Sequence, residues 1–325
     1  MGLADNPYDT KDNGHGDLAG LKGGLAIITG GASGIGFALA EASIAHGLHP
    51  VLVDIQDDNL TAAATKLEVS AEAADVKVSV CQTDVSSLES VEAMAKTVRE
   101  QNPDKPISLL CCNAGVGSGG GVLTGSNRDW DFVFAVNVMG VLHCVRTIVP
   151  LMLEDGSPGS VMATSSQDGL CAGQNVYGVT KQACIAIMEG LHQELQGRLT
   201  SHVLCPQVTA TNIVGSERYR PDRFGGPSQL HPRAQAAMDM FKNSGVNPAE
   251  VANNVFNAME SGTFYIMSEA EQDPGYIRLQ VETRMNSILN GERPFQNVVA
   301  VDREEHAITV SENLTAILDS GQGQG

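Results

Sequence analysis

Leu25-Ala26-Ile27-Ile28-Thr29-Gly30-Gly31-Ala32-Ser33-Gly34-Ile35-Gly36 runs from an apolar stretch through a glycine-rich turn into an alanine-rich segment that continues to His46. Five apolar or β-branched residues stopped by glycine read as a buried strand, and the segment at 35–46 reads as a helix. Glycines at 30, 34 and 36 allow a tight turn and close backbone approach. With Ser33 and Ile35 they form a helix start whose free N–H groups and positive dipole suit a pyrophosphate. A glycine-rich turn alone is a weak signal, but a second strand, Val51-Leu52-Val53-Asp54, ends in a carboxylate 18 residues after Gly36. Such an acid accepts hydrogen bonds from ribose hydroxyls and repels a 2'-phosphate. No Lys or Arg stands at 33 or 55, so the pattern favours NAD(H) over NADP(H). Asp84-Val85, after a third strand, is placed for the adenine edge, although an Asp there serves equally well as a helix cap.

Outward from this turn the alternation repeats. Strand patterns fall at 25–29, 50–53, 76–82, 107–112, 159–164, 201–205 and 263–267, and helical patterns near 88–100, 130–153 and 176–196. Asn247-Pro248-Ala249-Glu250 supplies an N-cap, a proline at the first helical position and an early acid, which opens another helix to Glu260. Alternating strands and helices imply right-handed crossovers and a parallel sheet covered on both faces, an α/β fold. Residues 1–20 read as a flexible leader, 21–295 as one catalytic domain with a lid at about 212–245, and 296–325 as a C-terminal extension.

Composition sets limits on function. The 325 residues carry 20 Lys+Arg against 38 Asp+Glu, a net charge of −18, which argues against nucleic acid and anionic membrane surfaces. At 42% hydrophobic and 18% charged the chain has enough apolar side chains to fold. The polar N-terminus and the shortness of every continuous apolar run point to a cytoplasmic protein with no membrane span. Cysteines 81, 111, 112, 144, 171, 184 and 205 are odd in number, form no CxxC pair and mostly sit in apolar runs, as reduced core thiols do. With the histidines scattered, no metal site is expected. A serine hydrolase is excluded because no Gly-x-Ser-x-Gly elbow surrounds Ser33, Ser165 or Ser166.

Tyr177-Gly178-Val179-Thr180-Lys181 places a phenol and an ammonium four apart on one helical face. A phenol of pKa near 10 serves as a base at neutral pH only if its anion is stabilised by about 4 kcal/mol, which a neighbouring cation can supply. Upstream, Ser165-Ser166 follows a strand. Taken in order, TGGASGIG, Asp54, Asp84-Val85, Cys112-Asn113-Ala114-Gly115, Asn137-Val138-Met139-Gly140, Ser165-Ser166 and Tyr177-xxx-Lys181 resemble the short-chain dehydrogenase/reductase family over about residues 21–268. The resemblance implies a Rossmann-type doubly wound parallel sheet in three α/β/α layers. It further implies Tyr177 as general acid/base, Lys181 on the nicotinamide ribose, Ser166 on the substrate oxygen and Asn137 holding a water that relays protons to Lys181. The Asn113-Ala114-Gly115 segment would support the sheet beside the cofactor, and Thr211 would bond the nicotinamide carboxamide. The expected activity is hydride transfer between NAD(H) and a medium-sized, partly apolar secondary alcohol or ketone, aryl or alicyclic, in a homodimer or homotetramer.

Two positions depart from the family pattern. Ser166 lies 11 residues before Tyr177 where 13 is usual, which places the deletion between Leu170 and Gly173 in the loop lining the substrate pocket. Gln207 follows Pro206 where the family has glycine, and a side chain there resists positive φ. These two features motivate the alternative of a catalytically weakened or repurposed dinucleotide-binding protein. The lid holds Arg218, Arg220, Arg223, Arg233 and Lys242 and is locally basic, so it is a candidate for attracting an acidic substrate group; a solvated surface loop is the plainer reading.

Overall fold

A computed structural model describes residues 18–117, 120–171, 175–227, 232–271 and 274–294. The C-terminal extension, nearly all of the leader, the pocket-loop residues 172–174 and the side chain of Arg233 lie outside the described residues. Seven strands form one sheet: β1 Leu25–Thr29, β2 His49–Asp54, β3 Ser79–Gln82, β4 Ile107–Cys112, β5 Ser160–Thr164, β6 Thr200–Pro206 and β7 Tyr265–Ser268. All neighbours are parallel, in the order β3-β2-β1-β4-β5-β6-β7. The helices are α1 Leu18–Leu21, α2 Gly34–Ala45, α3 Asp57–Ala73, α4 Leu88–Gln101, α5 Asn127–Phe134, α6 Gly140–Asp155, α7 Gln167–Leu170, α8 Val176–Leu195, α9 Pro232–Ser244, α10 Pro248–Glu260 and α11 Tyr276–Leu289.

The strand period of two makes the three layers. Leu25 and Ile27 of β1 enter one core with α4, α5, α6 and α8, and Ala26 and Ile28 enter the other with α2, α3 and α10. Strands β1, β4 and β5 are buried on both faces and so read as continuous apolar runs, whereas edge strand β3 alternates and leaves Val80 exposed. This is the Rossmann-type α/β arrangement.

Several boundaries differ from the sequence pattern for local reasons. Strand β3 starts at Ser79 rather than 76, because the Val76 amide closes α3 on Ala71 and the Lys77 amide donates to His49 Nδ1. Strand β7 starts at Tyr265 because the Thr263 amide is spent on Ala258 at the end of α10. The helical pattern at 130–153 extends over Asn127–Asp155, with a π-helical turn at Ala135–Met139 between α5 and α6. That stretch has a mean hydropathy of 1.8 and is long and apolar enough to cross a membrane, but 56% of its apolar window is buried within the fold. It is a core helix here, packed on β4 and α4.

All seven cysteines are free thiols, six of them buried and Cys81 half-buried. Burial pushes the Cys171 thiol up to about 11 and the Cys205 thiol to about 12. Among the described residues no cluster of His, Cys, Asp or Glu could hold a metal ion.

Phe256 on α10 is 1% exposed and stacks on His46 at 4.5 Å between ring centroids, joining α10 to the end of α2. Phe256→Ala is expected to lower unfolding stability by about 3–5 kcal/mol in a denaturant titration. A loss below about 1 kcal/mol would show that this seam does not carry the packing assigned to it.

Candidate active site

The order of the strands places a crevice at the C-terminal ends of β1 and β4, where the direction of winding reverses. Asn113 ties three strand ends together there. Its backbone N–H donates to Thr29 Oγ1 at 2.9 Å, its Nδ2 to the Thr29 carbonyl at 3.0 Å, and its Oδ1 accepts from Thr164 Oγ1 at 3.0 Å. Thr29 Oγ1 also accepts from the Ala114 amide at 3.0 Å. The asparagine of the Asn113-Ala114-Gly115 segment thus fixes β1, β4 and β5 at one level.

On this platform the glycine turn packs against backbone. A Cβ at Gly36 would stand 2.1 Å from the Gly30 carbonyl oxygen, so only glycine fits. Ser33 precedes α2 in extended conformation without capping it, which leaves the helix-start amides open. Asp54 ends β2 with its carboxylate accepting from the Ala32 amide at 3.4 Å and the Gln56 amide at 3.3 Å, and burial raises its pKa. Asp84 accepts from the Ser86 amide and hydroxyl and from Arg223, and these bonds outweigh burial and hold it below its ordinary value. Gly30, Ser33, Asp54, Asp84 and Asn113 border a cleft of roughly 670 Å³. Every expected cofactor or catalytic residue lines it except Gly36 and Asn137. The glycine turn, open helix start and Asp54 fit a dinucleotide laid along the cleft.

The other half of the cleft holds the hydroxyls. Ser165 is turned away, its Oγ donating to the Lys181 carbonyl at 2.7 Å, whereas Ser166 caps α7, its Oγ accepting from the Asp168 amide, and lines the cleft with Tyr177, close enough to oppose the rise of the phenol's pKa. This separates the two serines that the sequence leaves adjacent. Asn175 caps α8, so Tyr177 lies in its first turn and Lys181 one turn on, with Nζ 5.4 Å from the Tyr177 ring centroid. Lys181 Nζ donates to the Thr164 carbonyl at 2.8 Å, the strand end that Asn113 also holds. A Cβ at Gly115 would come within 3.2 Å of Lys181 Nζ, so the small residue makes room for the ammonium. Burial lowers the Lys181 pKa, while burial and the charge of Asp168 raise that of Tyr177 against the opposing effect of Ser166.

Asn137 is 1% exposed, in the π-helical turn. Its Oδ1 accepts from the Val116 amide at 2.8 Å, and its Nδ2 donates to the Val116 carbonyl and Thr180 Oγ1. The amide therefore braces the backbone next to Gly115 rather than facing the cleft. Gln207 does not adopt positive φ, and its Oε1 accepts from the Ala270 amide at 2.9 Å, joining the end of β6 to the chain after β7. The strain that the missing glycine suggests is absent. Thr211 lines the cleft opposite the glycine turn.

The lid is pinned by the cations that make it basic. Arg220 is 6% exposed and bonds Asp129 at 2.5 Å and Glu217 at 2.6 Å. Arg223 bonds Asp84 and Ser86, each at 2.5 Å, and Arg218 lies 4.1 Å from the Tyr219 ring centroid and bonds the Gly215 carbonyl. For Arg220 and Arg223 the expectation of attracting an acidic substrate group is corrected, because both are paired with carboxylates of the protein. Two features are not legible as site residues in the sequence. Asp168 follows Ser166 by two and enters the cleft. Arg284 of α11 donates to the Leu170 and Cys171 carbonyls at 2.7 and 3.0 Å, holding the loop that leads away from α7.

Residues 24–222 match the family model described as short chain dehydrogenase. The chain belongs to the short-chain dehydrogenase/reductase family. This short-chain dehydrogenase is 31% identical over 256 residues to 1-deoxy-11-beta-hydroxypentalenate dehydrogenase of Streptomyces avermitilis, covering 77% of the present chain and 86% of that relative. A short-chain dehydrogenase/reductase from Burkholderia phymatum, solved in complex with NAD, superposes with a TM-score of 0.76 at 32% identity over 86% of this chain and 98% of that one. L-sorbose reductase from Gluconobacter frateurii, solved with NADPH and L-sorbose, gives a TM-score of 0.62 at 26% identity over 78% and 96%. The chain is thus an oxidoreductase of a family that binds nicotinamide dinucleotides and acts on small molecules.

The pinning of the lid has a direct test. Arg220→Met leaves Asp129 and Glu217 without their shared cation, which should weaken the segment 213–224 by about 3 kcal/mol. Hydrogen exchange there is expected to rise by more than about tenfold while the strands stay protected; uniform protection in the variant would show that the ion pairs do not hold the lid.

Proposed function

We propose that the protein is an NAD(H)-dependent secondary alcohol dehydrogenase or ketone reductase acting on a medium-sized, partly apolar substrate. The observation that carries this is the convergence of Ser166, Tyr177 and Lys181 on the end of the cleft opposite Asp54. The nicotinamide, when bound, supplies or accepts the hydride. Ser166 and Tyr177 hold the substrate oxygen between two hydroxyls, and the phenol gives that oxygen a proton in reduction and takes one in oxidation. Lys181, fixed by the Thr164 carbonyl, places its positive charge beside the phenol and favours its ionised form.

The opposed electrostatics set a pH dependence. A phenol held high by burial and by Asp168 is protonated at neutral pH, so it is ready as an acid and becomes a base only as pH rises through its pKa. Reduction is therefore expected to be sustained at neutral pH and to decline in alkali, while oxidation gains up to roughly tenfold per pH unit between about pH 7 and 9. Tyr177→Phe is expected to lower kcat at least about a hundredfold in both directions. Near-normal turnover of that variant would remove Tyr177 from the chemistry.

NAD is preferred because the Asp54 carboxylate ends β2 where a 2'-phosphate would come, and the residues on either side of the turn, Ser33 and Ile55, bring no cation. Asp54→Ser is expected to improve the kcat/KM ratio of NADP to NAD by at least about tenfold. A wild-type enzyme that already prefers NADP would overturn this assignment.

A further inference from the structure

Five carboxylates line the cleft: Asp54, Asp84, Asp129, Glu217 and Asp168. Four have partners in the protein. Asp54 takes backbone amides, Asp84 takes Ser86 and Arg223, and Asp129 and Glu217 share Arg220. Asp168 differs. Among the described residues no side chain or amide donates to its carboxylate and no cation pairs with it, and burial alone pushes its pKa up. Its own amide donates to Ser166 Oγ at 3.2 Å, so the α7 turn that positions the serine also fixes Asp168. Asp168 lines the cleft together with Ser166 and Tyr177, and its charge raises the phenol's pKa. The adjacent Gln167 is 7% exposed and borders the same cleft, and its Oε1 is a second acceptor with no donor.

A half-buried carboxylate that lines a binding cleft without a partner among the described residues is open to a donor that a ligand brings. We infer that Asp168 is a specificity-determining residue that accepts a hydrogen bond from a second hydroxyl of the substrate, near the reacting carbinol, so that the enzyme selects diols and hydroxyketones over monofunctional alcohols and ketones. This rests on the reading of Ser166 and Tyr177 as the groups that hold the substrate oxygen. Asp168 and Ser166 line the same cleft, so one small molecule carrying two neighbouring hydroxyls can span them. The donor is a hydroxyl rather than an ammonium, because Lys181 already places a cation beside Tyr177 and a second one would be repelled. The cleft lining also includes the neutral Val208 and Phe241, which offer apolar surface to a substrate.

The test compares substrates that differ by one hydroxyl, cyclohexanol with cyclohexane-1,2-diol and 1-phenylethanol with 1-phenylethane-1,2-diol, in the full-length protein with NAD. The wild type is expected to favour the diol by at least about tenfold in kcat/KM for one or both pairs, and Asp168→Ala to bring that ratio close to one. Asp168→Asn, which keeps the shape and a weaker acceptor, should give an intermediate ratio. Any effect of the charge on Tyr177 acts on both members of a pair and cancels in the ratio. If the variants shift the pH profile but leave the ratio at its wild-type value, Asp168 acts only on the phenol and the inference is wrong. A wild type indifferent to the second hydroxyl overturns it as well, and so does a larger Asp168-dependent preference for 2-aminocyclohexanol than for the diol. Ligand-induced melting shifts on the same pairs separate this from the proposed activity. Tighter diol binding that disappears in Asp168→Ala, without turnover, would sink the dehydrogenase reading and keep the recognition role, whereas turnover with equal binding of both members would do the reverse.

Discussion

The hydrogen bonds that Asn113 donates to Thr29 and accepts from Thr164 decide where the rest of the site can be. Parallel strands need crossover helices, and the ends of β1, β4 and β5 have no hairpin to align them. One carboxamide spans all three. Because Thr29 leads straight into the glycine turn and Thr164 into Ser165 and Ser166, the same clasp sets the distance between the glycine-turn half of the cleft and the half that holds Ser166 and Tyr177. Lys181 is drawn into this frame through the Thr164 carbonyl. Asn137 extends it by holding Val116 just beyond Gly115.

Desolvation then gives these groups their chemical character. Burial disfavours the charged form of each, raising the phenol and lowering the ammonium, so the pair starts nearer to neutrality than either residue would in water. In a chain with an excess of acid, the cleft keeps its field moderate by pairing carboxylates locally, with Arg220 and Arg223 of the lid as the cations. The segment 213–224 therefore serves the body electrostatically, with Arg220 and Arg223 already paired before any ligand arrives. Asp168 stands outside this scheme.

Much of this arrangement is legible in the sequence, because both the turn and the Tyr-Lys pair are constrained by local geometry. A buried parallel strand must be continuously apolar, a turn that meets backbone must be glycine, and two groups on one helical face must be four apart. The residues that no local pattern reveals are those whose meaning depends on distant partners. Helix α3 buries Leu60, Ala63, Leu67 and Ala71 at helical spacing, but alanines and polar residues dilute the pattern. Helix α11 buries Ile277, Gln280 and Ser287, which carries almost no apolar period, and only the fold brings its Arg284 to the substrate loop. Asp168 reads as an ordinary first-turn acid until the cleft is built around it. Gln207, Arg220 and Arg223 show the converse, since each has the character of a site residue and each is occupied by a structural bond.

The buried cysteines have a consequence beyond packing. Cys111 and Cys112 end β4, Cys205 lies near the end of β6, and Cys184 lies on α8 against the sheet, all enclosed and all with their ionisation suppressed. A thiol that is neither reachable nor ionised does not react with alkylating reagents while the fold is closed. Thiol modification therefore measures opening of the core, and the four residues sample it at the strands and at helix α8, which carries Tyr177. The protein has an internal clock for its own unfolding, and a dinucleotide that tightens the strand ends would slow it.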